Sequence, residues 1–207
     1  MLMNKIKPVT IILAIFAAGL YNIWPLGYLL DPNALHNSYI SVLEVTSKPY
    51  AWLFVLTDIL SGVCVLAIGF LLIIKNIKNR KYVISYILFG IATLFDAIIP
   101  IASKCEERIS ACGISLSQII SPHDIASILE AITLIYCLSG LLHLLKVKQN
   151  NYYKMALFTL WLLCLTGLFL IISVVINNFT TLSQTLYILM NGVGLVIIPI
   201  SLIQNDN

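Results

Sequence analysis

The strongest constraint on this chain is a series of apolar segments, each close to the ~20 residues that a helix needs to cross a bilayer. Short polar stretches that carry charged and turn-forming residues separate them. There are six such segments, at residues 8–30, 50–74, 82–102, 122–145, 155–176 and 184–203. Only 10% of the 207 residues are charged, whereas soluble domains carry about 25%. The sequence therefore predicts an all-α membrane protein, a six-transmembrane-helix bundle that forms one integral membrane domain over residues 1–207.

The distribution of basic residues predicts the orientation of the bundle, because cytoplasmic loops are enriched in Lys and Arg. With six spans, both termini share a side with the loops at 75–81 and 146–154. That side holds nine basic residues: Lys5, Lys7, Lys75, Lys78, Arg80, Lys81, Lys146, Lys148 and Lys154. The other side holds three: Lys48, Lys104 and Arg108. We therefore predict a multi-pass protein of the cell membrane with both termini cytoplasmic.

The first segment also has features of a secretory signal peptide, which would be removed. Lys5 and Lys7 precede an apolar run, and small residues follow at Ala17-Ala18-Gly19. The apolar run continues to Leu30, which favours a retained helix. Cleavage would leave five spans and an external N-terminus.

Three acidic residues lie inside predicted spans, where an ionisable side chain is costly and marks a candidate site. At about 1.5 Å per helical residue, Asp58, Asp96 and Glu130 lie roughly 10–14 Å from the outer ends of their helices. Asn22 and Asn191 fall in the same outer half. The shared depth predicts a polar cavity that is open to the outside and lined by these residues. Alternatively, each acid bonds a neighbouring helix and serves only in packing.

The fourth span begins with polar residues that a helix places on one face. His123, Ser127 and Glu130 are spaced i, i+4 and i+7. We therefore add His123 and Ser127 to the predicted cavity. His123 is a candidate proton relay above Glu130, or an interfacial residue of the first helical turn.

The same region contains candidate ligands for a divalent metal. These are His123, Asp58, Asp96 and Glu130, with His36 and Glu44 of the first outer loop as further donors. No His-x-x-x-His or His-Glu-x-x-His pair is present, so the pattern is a weak indicator of zinc.

Other polar and aromatic residues are interpreted from their positions in the spans. Tyr21 and Trp24 lie near a predicted membrane boundary and are interpreted as interfacial anchors. Gln184, Tyr187 and Asn191 share one face of the last span at i, i+3 and i+7.

Two of the five cysteines, Cys105 and Cys112, lie in the second outer loop with six residues between them. On an oxidising outer side this pair is predicted to form a disulfide. Cys64, Cys137 and Cys164 lie within spans and are interpreted as packing residues. The absence of a Cys-x-x-Cys motif disfavours a membrane thiol oxidase.

Three stretches resemble a bacterial family of six-span membrane proteins of unknown function. One is Ser47–Phe54 with the following Thr57-Asp58 and Ser61-Gly62. The others are Asp96–Pro100 with Cys105 and Cys112, and His123 with Ser127. The resemblance implies a six-helix bundle with an outer-loop disulfide and implies no activity. It directs attention to Asp58, Asp96, Cys105, Cys112 and His123.

Three functions remain open from the sequence. The first is a carrier or accessory protein that binds a lipid headgroup, a small solute or a cation in the cavity. The second is an intramembrane metal-dependent hydrolase acting on a lipid or lipid-linked substrate, with Ser127 or Ser61 beside the acids. The third is a structural scaffold whose acids only join helices.

Some classes of function are disfavoured. No basic run suited to nucleic acid is present. The lack of a recognisable repeat and of paired Gly/Pro breaks in the helices disfavours a secondary transporter. The bilayer is the predicted partner, with a lipid or small molecule as the predicted ligand. The sequence does not set the identity of the ligand, a cofactor or the oligomeric state.

Overall fold

The computed structural model describes residues 2–31, 40–99, 122–147, 152–176 and 178–205. The helices in these ranges are α1 (Leu2–Tyr21), α2 (Pro25–Leu30), a 3₁₀ helix (Ile40–Glu44), α3 (Ala51–Ile74), α4 (Arg80–Ile98), α5 (Pro122–Val147), α6 (Tyr152–Ile176) and α7 (Thr180–Asn205). The described ranges contain no strand. Within these ranges, six helical segments are long and apolar enough to cross a bilayer, the first comprising α1 and α2. The predicted six-span helical bundle is confirmed.

The six spans form a closed ring in which each packs against its neighbours in the chain and the first packs against the last. The α1 helix contacts both α3 and α7. From α3 to α7, each helix contacts the next one in the chain. Large buried side chains such as Tyr86, Phe89 and Leu138 fill the centre. Apolar side chains such as Trp161 and Phe158 are 69% and 65% exposed on the outer surface, where a bilayer would cover them.

The first span differs from the continuous helix predicted over residues 8–30. It is broken at residues 22–24, between α1 and α2. Pro25 is the first residue of α2 and has no N–H with which to continue the hydrogen bonds of α1. The first span is therefore interrupted at one point rather than continuous.

The third span ends earlier than predicted. Its helix stops at Ile98, and Ile99 has extended backbone angles, with φ −80° and ψ 110°. Residue 99 precedes Pro100, and the ring of a proline disfavours helical angles in the residue before it. The predicted disulfide partners Cys105 and Cys112 lie outside the described ranges, and the disulfide stays a prediction.

Candidate functional site

A cavity of about 130 Å³ lies at the end of the bundle where α3, α5 and α7 begin and α4 ends. Its wall contains four carboxyl groups, those of Glu44, Asp58, Asp96 and Glu130. The other polar side chains of the wall are Tyr21, Trp24, Ser41, His123, Ser127, Gln184 and Tyr187. The structure thus brings five of the residues predicted for the cavity together, and it adds Glu44 from the first loop.

The two remaining residues predicted for the cavity, Asn22 and Asn191, are not among the residues that line it. Asn22 donates its amide N–H to the Ala18 carbonyl at 2.9 Å and lies against Gly192. Asn191 is 1% exposed and hydrogen-bonds Tyr187, so it contacts the cavity wall through that residue. Both asparagines lie behind the wall rather than in it.

Asp96 joins α4 to the first turns of α5. Its Oδ1 atom accepts the Ser127 hydroxyl at 3.0 Å and lies 3.1 Å from Nδ1 of His123. The same imidazole nitrogen is 3.3 Å from the Asp96 carbonyl oxygen. Because the Ser127 proton is directed to the carboxylate, His123 is not placed as the base for a serine nucleophile. Asp96 of α4 thus holds two side chains of α5, those of Ser127 and His123.

Glu130 lies deeper and is 5% exposed. Its Oε2 atom accepts the phenol hydroxyl of Tyr21 at 2.7 Å, which links α5 to the last residue of α1. Thr93 also lies close to this carboxyl, but among the described residues none is a hydrogen-bond partner of its buried Oε1 atom. A buried oxygen of a carboxyl group without a partner is costly, and a donor in the cavity would remove that cost.

Glu44 approaches the cavity from the end of the 3₁₀ helix, and its carboxyl hydrogen-bonds that of Asp58. Two carboxyls can share a hydrogen bond only when one of them carries a proton. Removal from water is the main cause that raises the pKa of Glu44, and the Asp96 and Glu130 carboxylates add to it. Although the bond to Asp58 lowers this pKa, the result is a value of about 8.

The 3₁₀ helix is held over the bundle by contacts with two spans. The Ile40 N–H donates to Oε1 of Gln184 at 2.6 Å, which fixes the start of the 3₁₀ helix to α7. Leu43 is 1% exposed and packs against Gly27 of α2, where a Cβ atom would come within 2.5 Å of the leucine side chain. These contacts place Glu44 opposite Asp58.

Metal binding receives no geometric support from the described residues. Among them, no three His, Cys, Asp or Glu side chains are grouped in a way that could hold a metal ion. His36, which was considered as a further donor, lies outside the described ranges. The metal site stays a prediction.

A comparison with family models matches residues 10–200 to a family described as "Protein of unknown function (DUF998)". The chain belongs to this family. The match includes all or most of each of the six spans, whereas the stretches that carried the resemblance lie within residues 47–127. Comparison with curated proteins and with solved structures gives no match.

Sequence reasoning missed the roles of Tyr21, Trp24 and Gln184 in the cavity and its surroundings. Tyr21 and Trp24 were interpreted as interfacial anchors, but the break after Tyr21 places both in the cavity wall. The available signal was Pro25, which predicts an interruption in an apolar segment. No local pattern indicates that Gln184 accepts the N–H of Ile40, since 144 residues separate them.

Proposed function

We propose that this protein binds a small positively charged group, an amine or a lipid headgroup that carries one, as a carrier or accessory protein of the membrane. The observation that carries the proposal is Oε1 of Glu130, a buried carboxyl oxygen without a partner in the wall of the cavity. A protonated amine supplies the N–H donors that this atom lacks.

The charges of the cavity wall favour a cation over an anion. Four carboxyls line the cavity, and none of the described residues in its wall is Lys or Arg. Nearby carboxylates oppose each other's ionisation unless protons or a cation compensate them. The ion pair of Lys48 with Asp31, at 3.1 Å, involves residues outside the wall.

The two alternatives from the sequence fit the geometry less well. In a purely structural protein each acid would be hydrogen-bonded with no space beside it, whereas Glu130 retains an unpaired oxygen beside a cavity of about 130 Å³. For a hydrolase, Ser127 is directed to Asp96, and Ser61 donates to the Ala17 carbonyl at 3.0 Å. Among the described residues, neither serine donates its hydroxyl proton to a histidine base.

Replacement of Glu130 by glutamine tests the proposal. We expect the purified protein in detergent to bind ethylammonium, and Glu130→Gln to weaken that binding by about tenfold, because a charge-assisted hydrogen bond is lost. The glutamine keeps an acceptor for the Tyr21 hydroxyl, so the packing of α5 against α1 is retained. Isothermal titration calorimetry with ethylammonium chloride measures both affinities.

Asp31→Asn is the matched control, because it removes a carboxylate that lies outside the cavity wall. Its affinity for ethylammonium should equal that of the wild type. Sodium acetate, with an organic anion of similar size, should not bind. A wild-type protein that binds no ethylammonium, or a Glu130→Gln variant with unchanged affinity, would refute the proposal.

We also propose that the cavity faces away from the cytoplasm, as the distribution of basic residues predicts. A fluorescent protein fused to the C-terminus should fluoresce, because it folds in the cytoplasm. Alkaline phosphatase fused after Asn178, between α6 and α7, should be active, because it folds outside. The reverse pattern of the two reporters would contradict this orientation.

A further inference from the structure

A second polar atom of the cavity wall also lacks a partner, and it has the opposite hydrogen-bonding character. The indole Nε1 of Trp24 is buried and makes no hydrogen bond within the described part of the chain. The indole N–H is a donor only, whereas Oε1 of Glu130 is an acceptor when the carboxyl is ionised. Both residues line the same cavity.

The position of Trp24 is fixed by the break in the first span. The residue lies directly before Pro25, and its carbonyl accepts the N–H of Gly27 at 2.8 Å. Its ring stands edge-on to that of Tyr28, at 6.1 Å between centroids. On the other side it packs against the cluster of Ile40, Leu43 and Phe54. These contacts hold Trp24 in the cavity wall.

We propose that the ligand is an amino alcohol, a protonated amine that also carries an oxygen acceptor, with the amine bound by Glu130 and the oxygen by Trp24. The inference rests on the proposed function and narrows the ligand class. The ethanolamine group, free or as a phospholipid headgroup, has this chemistry. Its oxygen in the free compound is neutral, which suits a wall that contains four carboxyls.

The size of the cavity is consistent with a ligand of this kind. Its volume is about 130 Å³, and an apolar protein cavity of about 150 Å³ holds a benzene molecule. Ethanolamine is smaller than benzene. The rings of Tyr21, Trp24 and Phe54 in the wall can contact its methylene groups and the ammonium group.

The test compares ethanolamine with ethylamine, which has the same ammonium group and no oxygen. Titration of the purified protein in detergent should show ethanolamine binding about tenfold more tightly, which is the effect of one additional hydrogen bond. Trp24→Phe keeps an aromatic ring but removes the N–H. In this variant the preference for ethanolamine over ethylamine should vanish, and the ratio of the two affinities should fall to about one, because the loss of ring area affects both amines alike. Glu130→Gln should weaken both amines.

A third ligand tests the assignment in the wild-type protein alone, so the result does not depend on how well Trp24→Phe folds. 2-Methoxyethylamine has an acceptor oxygen but no hydroxyl proton. It should bind better than ethylamine, because Trp24 donates to the oxygen. Equal binding of ethylamine and 2-methoxyethylamine by the wild type would overturn the inference but leave the proposed function intact. Failure to bind any of the three amines would refute both.

Two lipid environments distinguish a free amino alcohol from a headgroup. The protein is placed in nanodiscs of phosphatidylcholine that contain either phosphatidylethanolamine or phosphatidylglycerol. If the headgroup enters the cavity, phosphatidylethanolamine should weaken the apparent affinity for free ethanolamine relative to phosphatidylglycerol. Equal affinities in the two nanodiscs would assign the site to the free amine. Either outcome is consistent with the amino alcohol class.

Discussion

The melting temperature of the purified protein should fall as the pH rises from about 5 to 8, and Glu44→Gln should remove most of this decrease. The pKa of Glu44 is raised to about 8 in the folded protein, from 4.5 for an unperturbed glutamate. Below pH 4.5 the group is protonated in both states, and its contribution to stability is fully present. Between the two pKa values the unfolded state loses its proton first, so stability decreases until about pH 8.

Proton linkage sets the expected size of the decrease in melting temperature. One proton contributes at most about 1.4 kcal/mol per pH unit. In a chain of this length that corresponds to a decrease of about 3–6 °C per unit. Asp58, Asp96 and Glu130 face Glu44 across the cavity, so the Glu44–Asp58 pair titrates as a unit and the glutamine variant reports on the pair.

The measurement is a series of thermal unfolding curves in detergent between pH 5 and 9. The wild type and Glu44→Gln are compared at each pH, because the difference between them excludes titrations elsewhere in the chain. Parallel pH profiles for the two proteins would contradict the proton shared between Glu44 and Asp58.

Gly140→Ala should destabilise the bundle by about 1–3 kcal/mol, the usual effect of overpacking a well-packed core. A Cβ atom at residue 140 would overlap the ring of Tyr82, which packs α4 against α5. Tyr82 is 4% exposed, its carbonyl accepts the Cys137 thiol at 3.4 Å, and its ring lies beside that of Tyr136. The ring therefore cannot move aside without disturbing the contact between the two spans. Thermal unfolding in detergent measures the loss.

Gly19→Ala is the matched control, because a Cβ atom there would meet nothing within 4 Å. Alanine is favoured over glycine in helices by up to about 1 kcal/mol, so this variant should be neutral or slightly stabilising. Combining Gly140→Ala with Tyr82→Leu tests the mechanism, since the penalty at residue 140 should shrink once the ring is gone. Equal effects of the two alanine substitutions would show that helix propensity, and not the Tyr82 contact, determines stability here.

The residues of the site differ in how far the sequence could predict their positions. Asp58, Asp96 and Glu130 could be found because each is an acid inside an apolar segment, and the distance of each from the end of its helix gives its depth. His123 and Ser127 could be assigned to the face of Glu130, because helical periodicity is a local property. Asn22 and Asn191 satisfied the same criterion of depth, yet they lie behind the cavity wall. Depth alone does not fix the direction in which a side chain points.

The sequence by itself determined the number of spans, their approximate limits and the acids that lie within them. These properties follow from segment length and hydropathy, which the thickness of a bilayer constrains without reference to other segments. Only the tertiary structure decided that Glu44 meets Asp58, that Tyr21 meets Glu130, and that Trp24 enters the cavity wall. Such contacts depend on the rotation of each helix about its axis and on the path of the chain at residues 22–24. Packing among all six spans sets both, and no single segment encodes them.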